Sequence, residues 1–310
     1  MFLTLATGEK AQQVWQFQVW PVALSLVLLG TVPCSAQLPE TRLVDVAGHP
    51  VRVRLGGWTR SDGAPTVVLE SAFRESLESW DSIFEQVVSL APVFAYDRAR
   101  NGGSPDDGRA PTPRHVAERL HTLLAALGAK PPYVLVGHSW GGPLVRMFTG
   151  LYPNEVAGIV YIDPTDLRPL HEEVAYYREQ GYVGEAMVQR KASLLRFRDP
   201  EQPETKVLLD TVQGDFKDFR ALPPLPDVPM AVLMSASFGP ASWQEAPCEP
   251  KVCEDALVRW RIHWLRQMME GTSNGTLTVA TSVGHFMQRD DPDLVVSAIQ
   301  RVLTLARRAK

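Results

Sequence analysis

The sequence predicts an α/β fold: a mostly parallel, doubly wound sheet with N-terminal antiparallel strands and a helical cap insertion. Three observations carry that reading. Short, continuously apolar runs alternate with helix-length amphipathic segments, a ribbon of alternating polar and apolar residues precedes them, and one long stretch contains no strand-like run. With 310 residues, 45% apolar and 21% charged, the chain has ample material for a deep core. A formal net charge of −4 gives no expectation of nucleic acid or of an anionic lipid surface as partner. It suits a small, uncharged ligand.

Residues 1–36 read as a signal peptide. Val19 to Gly30 is a compact apolar run, and Cys34-Ser35-Ala36 puts small residues at positions −3 and −1 of a cleavage site. The run is too short to span a bilayer comfortably, so a secreted or periplasmic protein with no stable membrane span is expected. The alternative is an N-terminal membrane anchor, because Lys10 ahead of the run is offset by Glu9. The domain proper then runs over 41–310. Thr41 to Leu55 alternates as a two-stranded antiparallel ribbon turning near Gly48-His49-Pro50.

The buried-strand runs follow at Pro65–Leu69, Val93–Tyr96, Tyr133–Val136, Gly158–Ile162, Met230–Met234 and Leu277–Ala280. Between them, His115 to Gly128 places Val116, Leu120, Leu123 and Leu127 on one helical face, with Gly128 as C-terminal cap. A last helix opens on Asp291-Pro292 and carries Leu294, Val295, Ala298, Ile299 and Val302. The stretch from about 165 to 227 has no strand-like run and is expected to form the cap over the carboxyl ends of the strands. Cys248 and Cys253, close together in a Pro-containing loop, form a candidate disulfide contributing roughly 2 kcal/mol. No metal or organic cofactor is implied, and the oligomeric state is not legible.

The chemistry concentrates at Gly137-His138-Ser139-Trp140-Gly141-Gly142, directly after a strand and before the helical run Leu144, Val145, Met147, Phe148. A serine on such a strand–turn–helix must take a strained backbone conformation, and its neighbours two residues away must be small. The turn presents the hydroxyl to the cleft and aims the following helix N-terminus, with the Trp140 N–H, at a developing oxyanion. Ser139 needs a base. Of the seven histidines, His285 is the one well placed, in a loop after the last strand and before the last helix, which gives the order serine, acid, histidine. His171 is open to a substrate-contacting role, and the remaining five have structural readings. Asp163, closing the strand run 158–162, is the expected acid, with Asp166 behind it. The run after Met230–Met234 offers no carboxylate until Glu245. The second oxyanion donor is expected in Glu70-Ser71-Ala72-Phe73-Arg74, at Phe73, with Ala72 next.

These pieces resemble the α/β-hydrolase superfamily, and within it exported bacterial serine hydrolases of undefined substrate. The resemblance runs from about residue 41 to the C-terminus. It rests on Val67-Val68-Leu69-Glu70-Ser71, Ala95-Tyr96-Asp97-Arg98, Pro132 to Ser139, Val160 to Pro164 and Gly284-His285-Phe286-Met287-Gln288. It implies the α/β-hydrolase fold. Members that displace halide or open epoxides use an aspartate at the elbow, and some members place the acid where Asp163 stands. One departure is plain: the oxyanion loop usually carries glycines, and Ser71 to Arg74 has none. The expected activity is hydrolysis of a carboxylic ester through an acyl-enzyme. An amidase, aminopeptidase, lactonase or carbon–carbon hydrolase with the same triad is the alternative, and a non-catalytic ligand-binding scaffold a more distant one.

Overall fold

Strand runs of valine, isoleucine and leucine, apolar on both faces, suit a sheet covered by helices on both sides. A computed structural model describes residues 39–58, 63–182, 184, 186, 187, 199, 201–237 and 248–308, within the unit Ala36–Lys310. The expected signal peptide lies outside the described residues. One eight-stranded sheet is formed by β1 (Glu40–Val46), β2 (His49–Gly56), β3 (Val67–Glu70), β4 (Val93–Tyr96), β5 (Tyr133–His138), β6 (Val156–Ile162), β7 (Met230–Ser235) and β8 (Gly275–Ala280), in the order β1-β2-β4-β3-β5-β6-β7-β8. The pairs β1–β2 and β2–β4 are antiparallel, and all the others are parallel.

The period of two along each central strand feeds two separate cores. Leu135, Ile159, Val232 and Phe94 pack in one core with Leu120, Phe148, Trp260 and Leu265. Val134, Val136, Val160 and Leu69 pack in the other with Ile83, Phe84, Ile299 and Val302. The helices are α1 (Asp81–Leu90), α2 (Pro113–Ala126), α3 (Gly141–Leu151), α4 (Leu170–Glu179), α5 (Pro203–Gln213), α6 (Lys217–Arg220), α7 (Pro250–Met268), α8 (Met287–Asp290) and α9 (Pro292–Arg308). The described residues between β6 and β7 include the helices α4 to α6 and no strand. No helix among the described residues is long and apolar enough to cross a membrane.

Boundaries shift for local reasons. The ribbon turn is Ala47-Gly48, one residue earlier than the sequence suggested, with His49 and Pro50 already in β2. A two-residue turn of this kind needs positive φ at both central residues, and Ala47 (54°) and Gly48 (86°) adopt it while Asp45 accepts the Gly48 N–H at 3.0 Å. Helix α2 begins at Pro113 because the Thr112 hydroxyl accepts the His115 N–H at 3.2 Å and proline suits the first turn. Gly128 closes it at φ 68°, as its sequence position suggested. Cys248 and Cys253 are joined by a disulfide at the start of α7, with Cα atoms 5.7 Å apart.

Candidate active site

Ser139 sits between β5 and α3 with φ of 52°, a left-handed backbone that non-glycine residues avoid. The glycines around it are required by space. A Cβ on Gly137 would lie 2.6 Å from the Gly141 carbonyl oxygen, and one on Gly141 would lie 2.3 Å from that of Glu70. Strand β3, strand β5 and the first turn of α3 meet there, and side chains would drive them apart. The Ser139 N–H donates to the Ile162 carbonyl at 3.0 Å, which ties the turn to the end of β6 next to Asp163.

Asp163 is itself strained, with φ of 43°, and buried. Its Oδ2 lies 2.6 Å from His285 Nδ1. Its Oδ1 accepts the Ser235 N–H at 2.8 Å and Arg261 Nη2 at 2.6 Å. Burial alone would push this carboxyl up. The Arg261 guanidinium and the His285 hydrogen bond outweigh burial and hold it down at about 2. The group is therefore an acceptor, and His285 Nδ1 donates to it. The His285 side chain is 46% exposed and faces the open side of the site. Its loop is fastened from behind, since the Ser235 hydroxyl donates to the Val283 carbonyl at 2.7 Å.

His138, fully buried beside the serine, supports the same loop. Its Nε2 donates to the His285 carbonyl at 2.8 Å, and its Nδ1 accepts the Gln288 amide at 3.2 Å. Burial, followed by the neighbouring His285, lowers its pKa to about 3, so the ring is neutral. The two imidazole rings lie 4.9 Å apart between centroids, which brings the elbow and the His285 loop together. Asp166, the second carboxylate considered, accepts Trp260 Nε1 at 2.8 Å and the Arg168 N–H at 2.8 Å, and holds the start of the insertion to α7.

The glycine-free loop after β3 is held by a buried charge network. Arg98, at the end of β4, donates to the carbonyls of Ser71 (2.8 Å) and Ala72 (2.7 Å). It also pairs with Glu70 (2.7 Å) and with Glu204 of α5 (2.6 Å). Glu204 Oε2 accepts the Arg74 N–H at 2.8 Å, which fixes the loop just past Phe73. Phe73 packs on Trp140, Leu144, Val116 and Leu208, so both residues expected to supply oxyanion donors share one apolar cluster. His171 is three-quarters exposed, near Asp215. Tyr177 and Phe216 are buried within the insertion, and Tyr176 packs on Trp260 and His263. Sequence reasoning missed Arg261, Glu204 and the roles of His138 and Arg98. Only the last two, in motif stretches, left a local trace.

This geometry has relatives. Residues 56–298 match the model of the alpha/beta hydrolase family. An uncharacterized protein, YqjL, of Bacillus subtilis is 29% identical over 130 residues, covering 42% of this chain and 49% of that one. The chain spans about half, or less, of the length of the curated relatives it matches. A putative lipase from Acinetobacter baumannii superposes with a TM-score of 0.57 at 16% identity, over 88% of this chain and 93% of that one. A haloalkane dehalogenase loop variant from Bradyrhizobium elkanii gives 0.57 at 17% identity, over 87% and 98%. With the strand order, the elbow and the match over most of its length in agreement, the chain belongs to the alpha/beta hydrolase family.

Proposed function

We propose that this chain is a serine hydrolase that cleaves the carboxylic ester of a small, uncharged molecule. The observation that carries the reading is the 2.6 Å contact between Asp163 and His285 Nδ1, next to a serine held at positive φ on the strand-to-helix turn. An ionised Asp163 fixes the tautomer that leaves His285 Nε2 free to take a proton. Ser139 Oγ attacks the ester carbonyl carbon as His285 takes its proton. The carbonyl π pair moves onto oxygen, and the N–H groups of Trp140 and Phe73, with the positive end of the α3 dipole, stabilise that oxyanion. Collapse expels the alcohol, which takes the proton from His285. Water, deprotonated by His285, then attacks the acyl-enzyme and releases the acid. A serine at the elbow speaks against halide displacement and epoxide opening, for which the resemblance requires an aspartate.

The disulfide supports work in an oxidising compartment, which agrees with export by a signal peptide at 1–36. Exported protein is expected to begin at Gln37 when its N-terminus is sequenced. The test of the activity is hydrolysis of p-nitrophenyl esters from acetate to decanoate by wild type and by Ser139→Ala. Serine-dependent release is expected. Wild-type turnover in the variant would refute the mechanism. Serine-dependent cleavage of amides or lactones, with esters untouched, would move the substrate class and leave the triad standing.

A further inference from the structure

Beside the elbow lies a cavity of about 350 Å³, walled by α3, the end of β6, the segment after it, the first turn of α4 with Glu172, α6 and the C-terminal half of α7. Neither Ser139, His285, Asp163 nor Phe73 lines it. Much of its wall is apolar, including Pro143, Pro164, Leu167, Phe219 and Met268. Three buried polar atoms in its lining residues nevertheless have no hydrogen-bond partner among the described residues: Arg146 Nη1, Tyr161 Oη and Trp264 Nε1. Tyr161 and Trp264 are 1% and 3% exposed. Native interiors leave few such atoms unmet, and three around one cavity call for a shared acceptor.

The charges sharpen the case. Three arginines reach this cavity. Arg168 is paired with Glu172 at 2.8 Å, and Arg220 with Asp215 at 2.6 Å. Arg146, the most enclosed, has no carboxylate partner among the described residues, and its Nη2 is committed to the Pro223 carbonyl at 2.5 Å. A guanidinium drawn partly out of water without an anion is costly. A monoanion would balance it, whereas a dianionic phosphate would leave one charge unmatched. A carboxylate has enough lone pairs to accept from all three groups, and the volume suits a small organic molecule.

We propose that this cavity is a second binding site, for a small monocarboxylate with an apolar body, its carboxylate held by Arg146, Tyr161 and Trp264. The site adjoins the elbow without being part of it. The Thr165 N–H, on its wall, donates to the Ser139 carbonyl at 3.1 Å.

The test uses the full chain carrying Ser139→Ala, so that it reads binding and not turnover. Hexanoate and phenylacetate are titrated by calorimetry and by tryptophan fluorescence, which Trp264 reports directly. Saturable one-to-one binding is expected. The substitution Arg146→Gln should weaken it about tenfold or more, the loss of one charge-assisted hydrogen bond, and Tyr161→Phe should weaken it less. Tyr161→Phe changes little in shape and keeps the test decisive if Arg146→Gln folds poorly. Neutral 1-hexanol and inorganic phosphate should bind more weakly than hexanoate. Wild type phosphonylated at Ser139 should still bind. Absence of saturable carboxylate binding, equal binding by the Tyr161 and Arg146 variants, tighter binding of hexanol or phosphate, or displacement by the phosphonyl group would each overturn the proposal. Because the readout needs no catalysis, its failure and that of the esterase reading are separable.

Discussion

Ser139 and Asp163 share a peculiarity: each follows the last residue of a parallel strand, and each holds a left-handed backbone without being glycine. Such conformations cost about 1–3 kcal/mol each and persist where the surroundings enforce them. At Ser139 the enforcement is the packing of Gly137, Gly141 and Glu70. At Asp163 it is the backbone bond to Leu233, at 2.7 Å, and the side-chain bonds to Ser235 and Arg261. Strain at the serine predicts that Ser139→Gly is inactive yet more stable than Ser139→Ala, by about 1 kcal/mol in urea unfolding. Equal midpoints would mean the turn carries no strain. On the proposed mechanism Arg261 is a positioning residue, because it holds the oxygen of Asp163 that His285 does not use. Arg261→Met should lower kcat about 10- to 100-fold with KM nearly unchanged, and Arg261→Lys should restore part of it. A change confined to KM would place Arg261 in substrate binding instead.

At the scale of elements, the loop after β3 is held from two directions. Arg98 belongs to the sheet and Glu204 to α5, in the insertion, so docking of α5 and the shape of the loop are coupled. Glu204→Ala frees the Arg74 N–H from its acceptor and leaves Arg98 paired with Glu70. If Phe73 supplies an oxyanion donor, kcat for an activated ester should fall by roughly 10²-fold, the usual size of losing one donor. An unchanged kcat would move the donor out of this loop. Arg98 is the wrong residue to probe first, since removing it leaves two carboxylates buried together. The same comparison shows what the sequence could and could not reveal. Strands β3 to β7, of four to seven residues, were legible because double-sided burial makes them continuously apolar, whereas β8, expected to be buried, is a partly exposed edge strand; the elbow was legible because sterics demand glycine at fixed offsets. The partners of the site were not. Glu204 lies 106 residues from Arg98, and Arg261 lies 98 residues from Asp163. Neither glutamate nor arginine on a helix signals which buried group it will meet. Ser235, in the run that offered no carboxylate, donates its N–H to Asp163 and its hydroxyl to the His285 loop.

For the whole molecule, burying a neutral histidine next to Ser139 has a consequence for stability. Burial, reinforced by His285, lowers the His138 pKa from 6.5 to about 3 in the folded chain. Between those values the unfolded chain binds a proton that the folded chain refuses, so stability falls as pH drops, by about 1.4 kcal/mol per pH unit for one full proton. Asp163 acts in a second, lower window. Its carboxyl is held down from 3.8 to about 2, so its contribution is present above 3.8 and is lost as pH falls towards 2. Glu70 opposes both, since burial raises it and the folded chain takes up a proton first. Above pH 5, where carboxylates are still ionised in the unfolded chain, His138 should dominate the slope. His138→Gln, able to donate to the His285 carbonyl without titrating, should therefore flatten the pH dependence of unfolding free energy between pH 6.5 and 5. Urea unfolding of both proteins at half-unit steps gives the comparison. Parallel curves would show that His138 is protonated in the folded protein; its Nε2 would still donate to the His285 carbonyl, and Nδ1 would then need an acceptor in place of the Gln288 amide N–H.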